Sequence, residues 1–137
     1  MDDSLSKIDI DDAIEKVNQT IPKIKNSSVI DQLSTLKSHL EEMKVAQIEL
    51  EHVEEEFHRG NLVSEIYLDR HKKLVRDYFI ARDSIPEDVV PNIASLIDSD
   101  ESKTGLRKWG GLLRENRNFV LNLTQFLLNV VTLFGVH

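Results

Sequence analysis

Between residues 29 and 58 the chain carries neither glycine nor proline, while apolar side chains return every three or four positions. Only a long amphipathic helix fits that spacing. Its seam is Val29, Leu33, Leu36, Leu40 and Met43, then Ala46, Leu50, Val53 and Phe57. The +3 step from Met43 to Ala46 follows another +3, a slip in heptad register at which a continuous partner helix would have to overwind. The outer face, with Glu41, Glu42, Glu49, Glu51, Glu54, Glu55 and Glu56, reads as a solvated acidic surface.

The same period governs the rest of the chain, where five glycines and three prolines in 137 residues leave room for few breaks. Ile10, Ile14, Val17, Ile21 and Ile24 define a first helix that Pro22 should kink or end, because proline has no backbone N–H to give. Asn26-Ser27-Ser28 reads as a turn, with Ser28 and Asp31 at capping distance. Arg59-Gly60-Asn61 is a helix stop, since glycine and asparagine readily take the left-handed conformation. Ser64 then caps a third helix with Tyr67, His71, Leu74, Tyr78 and Ala81 on one face, so the second and third helices should form an antiparallel hairpin.

The stretch Gly60-Asn61-Leu62-Val63-Ser64-Glu65-Ile66-Tyr67, continuing through Arg70 to Leu74, resembles the short helical hairpins of the SHOCT type. That resemblance covers some fifteen residues and implies an oligomerising module, here in mid-chain rather than at a C-terminus. Beyond the hairpin, Ser84-Ile85-Pro86-Glu87 spells a helix start, with Ser and Glu at capping-box spacing and proline in the first turn. A short fourth helix to about residue 97, bent at Pro91, should follow. Residues 98–105 have the most loop-like composition and are expected to act as an acidic hinge.

The fold class is therefore all-α, a bundle of five or six helices built on the long hairpin. Residues 1–98 form the hairpin bundle, 99–105 the hinge, and 106–137 a basic segment and an apolar C-terminal helix, packed together as one unit.

Residues 118–137 are uncharged up to the terminal histidine, yet Asn118, Asn122, Gln125, Asn129 and Thr132 recur as one narrow helical stripe among Leu, Val and Phe. Such a helix is buried by protein or by lipid. The twelve Leu, Phe and Val between 119 and 136 favour insertion by about 4 to 7 kcal/mol. Asn122, Gln125 and Asn129 oppose it at roughly 1 to 3 kcal/mol each when unpaired. The sums nearly cancel, so a lone copy inserts poorly and an oligomer facing its amides inward would insert better. In the alternative, the stripe is the solvent face of a bundle helix. Just before it, Lys103, Arg107, Lys108, Arg114 and Arg117 surround Trp109, an arrangement suited either to anionic headgroups or to pairing with the acidic face of the second helix. The candidate interaction residues are thus Arg107, Lys108, Trp109, Arg114, Arg117, Asn118, Asn122, Gln125, Asn129 and Thr132.

Several functions are excluded by residue type. There is no cysteine, hence no disulfide, thiolate chemistry or Cys-ligated zinc. Glu55 and His58 make one Glu-x-x-His unit without the second that a di-iron site needs, and His52 with Glu56 lacks a third ligand. No glycine-flanked serine elbow exists, and Gly110-Gly111 is not a phosphate loop. A net charge of -7 argues against general nucleic-acid binding. No cofactor, metal or small-molecule substrate is expected, and the acidic N-terminus predicts a cytoplasmic protein without a secretory leader. The expected function is a non-enzymatic helical interaction or scaffolding protein that self-associates or binds a partner helix. Alternatives are a membrane-acting protein, tail-anchored or a conditionally pore-forming oligomer on anionic membranes, and a regulatory subunit or inhibitor that binds through its acidic face.

Overall fold

A computed structural model describes residues 7–136. Met1 to Ser4, on which the absence of a leader was read, lie outside the described residues, as does His137. Among the described residues six α-helices follow in order: α1 Ile10–Thr20, α2 Ser27–His58, α3 Ser64–Ser84, α4 Val90–Ala94, α5 Asp100–Gly111 and α6 Phe119–Phe134. The all-α bundle on a long hairpin is the observed architecture.

Local chemistry sets most boundaries. The Asp9 carboxylate accepts from the Asp12 amide at 3.0 Å and opens α1, which tightens into a 3-10 turn over Ile21–Lys23, where Pro22 sits. Asn26, rather than Ser28, caps α2, its side chain accepting from the Val29 amide at 3.1 Å. Gly60 takes a φ of 79° and turns the chain into α3, which begins at Ser64 without a side-chain cap.

The core occupies one end of the hairpin. Val29, Leu33, Leu36, Leu40 and Met43 of α2 are fully enclosed, packed with Ala13 and Val17 of α1 and with Phe119, Leu123, Phe126 and Val130 of α6. Leu106 of α5 and Leu113 close the same cluster. The register slip at Ala46 falls where this enclosure ends: of the seam residues beyond it, only Val53 is buried, and Leu50 and Phe57 are half-buried.

Two expected breaks are helical. Ser84 caps nothing; its hydroxyl donates back to the Ile80 carbonyl at 2.7 Å, and the chain runs from α3 into a π-helical turn over Ile85–Val89 and on into α4. The widened turn lets the chain pass Pro86, and the Val90 amide donates to the Ile85 carbonyl five residues back. Of the acidic hinge over 99–105, residues 100–105 are helix, while 97–99 are non-helical. Ser99 accepts from the Ser102 amide at 3.3 Å, and Asp100 and Glu101 occupy the first turn of α5, where the dipole favours them. Helix α5 then lies close on α4: a Cβ at Gly110 would meet the Val90 methyls at 2.6 Å, so glycine is required there.

The C-terminus is sewn to the turn after α1. The Val136 amide donates to the Lys23 carbonyl at 2.9 Å, and Ile24 and Gly135 form an antiparallel bridge. From this placement, Leu40→Ala should lower unfolding free energy by roughly 2 to 5 kcal/mol. Leu74, half-buried on the arm, should cost less than about 2 kcal/mol when cut to alanine. Chemical denaturation of the two variants checks the difference.

Candidate functional site

The predicted C-terminal residues are divided among several environments. Arg107 and Lys108 project from α5 into solvent, with the Lys108 ammonium 5.4 Å from the centre of the Trp109 ring. Trp109 is half-buried against the core. Arg114 reaches Glu87 of the π turn at 3.4 Å, not the acidic face of α2. Arg117 and Asn118 lie in the turn before α6, where Asn118 holds a left-handed φ of 58°.

The amide stripe is not the solvent face of α6. Asn122 is buried, Gln125 and Asn129 are half-buried, and only Asn118 and Thr132 are exposed. Helix α5 approaches this side through Gly105, where an added Cβ would lie 3.7 Å from Asn129 Oδ1. Asn129 in turn donates to the Gln125 carbonyl at 2.9 Å. Leucines take the exposed face instead: Leu121 and Leu128, seven residues apart, are both more than half exposed. The helix begins at Phe119, so its 16 residues span about 24 Å, short of a hydrocarbon core of roughly 30 Å. Among the described residues, no helix is long and apolar enough to cross a membrane.

A polar junction that residue patterns did not indicate joins α3 to this region. Arg82 is 9% exposed; its Nη1 donates to Asn116 Oδ1 at 2.9 Å and its Nε to Asp83 Oδ1 at 3.0 Å, with the guanidinium 4.5 Å from the Phe79 ring centre. Tyr78 completes the junction. Burial pushes its phenol up to about 12, while a hydrogen bond with Asn116 and the charge of Arg82 pull the other way. A bidentate-capable guanidinium shared in this way fixes the turn before α6 against α3.

Beside the junction, Leu50, Glu54, His71, Val75 and Tyr78 line a cleft of about 180 Å³, with His71 Nε2 3.7 Å from Glu54 Oε1. That is smaller than the roughly 300 to 1,000 Å³ of ordinary ligand sites. Glu51, 2.9 Å from the Lys7 ammonium, raises the lysine above its ordinary value at the cleft edge. Among the described residues, no group of three or more His, Asp or Glu is placed to hold a metal ion. The chain matches no protein-family model, no curated protein and no solved structure.

What the sequence did not expose is a long bare arm. Residues 47–77 contain one buried side chain, Val53, while Ile48, Val63, Ile66 and Leu68 are exposed. Phe57 stacks on Tyr67 with ring centres 4.2 Å apart and holds the two helices together near the tip.

The Tyr78 shift has a defined sign. A phenol whose folded value lies above its unfolded value of about 10 gives stability that is whole below pH 10 and lost as pH rises toward 12. In a Tyr67→Phe variant, Tyr78 is the sole tyrosine. Its phenolate absorbance should then titrate near 12 in the folded protein and return to about 10 in denaturant. A folded midpoint at 10 would refute the buried placement.

Proposed function

We propose that the chain is a non-enzymatic helical interaction or scaffolding protein that self-associates or binds a partner helix, with the distal hairpin as the binding element. The observation that carries this reading is the contrast along α2. Its first half is enclosed by the bundle, whereas residues 47–77 bury only Val53, meet the segment before α1 at Gln47 and Glu51, and leave Val63 and Leu68 each 63% exposed. Two antiparallel helices bury only the strip between them, and a third or fourth helix is the ordinary way to cover both flanks.

The membrane-acting alternative draws less support. Phe119, Leu123, Phe126, Leu127 and Val130 are already used within the core, and insertion would require withdrawing them. The exposed cations Arg107 and Lys108 remain its best argument, and dye release from anionic vesicles, abolished by neutralising Arg107, Lys108, Arg114 and Arg117, would favour it.

Light scattering should give a mass above one chain. Replacing Val63, Ile66 and Leu68 together by lysine should leave the melting temperature nearly unchanged, because all three are exposed, and should abolish association. A strictly monomeric wild-type protein at high concentration removes the self-association reading.

A further inference from the structure

On the flank of the hairpin away from the Tyr78 cleft, α2 and α3 enclose a groove of about 590 Å³. Its floor is apolar: Val45 and Ile80 are 56% and 59% exposed, with Leu74 between the helices. The α2 wall is acidic, and α3 adds one carboxylate opposite it. Glu41, Glu42 and Glu49 rise from α2 and Asp77 from α3, and no lysine or arginine stands among the described lining residues. From Ser38 to Glu49 the α2 wall runs twelve residues, about 16 Å between the first and last Cα, or three helical turns.

We infer that this groove docks an amphipathic helix of a partner protein, about three turns long, with one apolar stripe flanked by Lys or Arg. The apolar floor calls for side chains at i, i+3 or i+4, and i+7, the pattern of a helix laid in a groove. The four carboxylates select the charge of what flanks that stripe, because burying them without cations would be costly. A second copy using the same groove would set carboxylate against carboxylate. Nor does α5 of a second copy fit. It presents Arg107 and Lys108, but Leu106 is wholly enclosed and leaves that helix no apolar ridge to insert. Anionic lipid is repelled by the same walls.

The inference rests on the interaction reading and names a partner for it, seated at the base of the arm between Ser38–Glu49 and Leu74–Ile80 and not at the tip that carries Val63, Ile66 and Leu68. The test uses the full chain and two labelled synthetic helices of identical apolar stripe, one flanked by lysine and one by glutamate, followed by fluorescence anisotropy. Saturable binding of the lysine helix alone is expected. Ile80→Lys and Glu49→Lys should each weaken it by about tenfold or more, a hot-spot-sized effect. Glu15→Lys, an equal charge change on exposed α1, should leave it nearly intact. Circular dichroism melts identify any variant that fails to fold, and Val45→Lys then replaces it. Equal weakening by Glu15→Lys and Glu49→Lys would mean unspecific charge attraction and overturn the inference. So would binding of the glutamate helix. A chain that is monomeric in light scattering yet binds the lysine helix would defeat self-association and leave the groove assignment standing. Association without groove-dependent peptide binding would do the reverse.

Discussion

The length of α2 is the constraint on which the rest of the molecule depends. Its 32 residues extend about 48 Å, whereas α1, α5 and α6 run 11, 12 and 16 residues. Helices of that size can surround only part of such a rod. The bundle therefore gathers where Val29 to Met43 supply five consecutive enclosed seam residues, and the remaining turns of α2 have α3 as their principal neighbour. Stability and surface chemistry are separated along the hairpin: hydrophobic burial concentrates in the first half of α2, and exposed apolar side chains begin at Val45 and Ile48 and continue at Val63, Ile66 and Leu68.

Two devices position the elements around the enclosed end. The π turn at Pro86 carries the α3 helix past a residue that would ordinarily end it, so Ile85, Val89 and Ile93 all reach the core. The Arg82 and Asn116 pair then ties the turn before α6 to α3 from 34 residues away. A buried guanidinium of this kind is costly to leave without its partner, which makes the junction a demanding register mark for how α6 docks.

The apolar periodicity of α1, α2 and α3 was legible because burial repeats with the helix period, and Gly60 marked the hairpin turn through its left-handed φ. Composition misled at two places. Ser84 to Glu87 contains the residues of a helix start whether or not a helix already precedes it, and here one does. Ser99, Asp100 and Glu101 look like loop residues by polarity but are a cap and a first turn by position. The amide stripe was legible as a helical feature, but not its surroundings, because Gly105 brings α5 onto one shoulder of it and leaves Leu121 and Leu128 outermost. Arg82 and Asn116 gave no local signal. Each resembles an ordinary surface residue, and only the tertiary fold brings them together. The bare arm and the groove at its base were hidden for a related reason: seam spacing tells which side of a helix is apolar, not how many neighbours arrive to cover it.

The bridge between Ile24 and Gly135, with the Val136 amide on the Lys23 carbonyl, joins positions 111 residues apart. Helical bundles commonly fold through contacts close in sequence, and the hairpin is of that kind. The seating of α1 against α6 is not. During synthesis at roughly 5 to 20 residues per second, α1 leaves the ribosome on the order of 5 to 20 seconds before the segment that encloses it exists. For that interval Ala13 and Val17 lack α6, and the nascent chain presents the hairpin first and the closed bundle last. All the residues of the hairpin are thus made before the segment that closes the bundle.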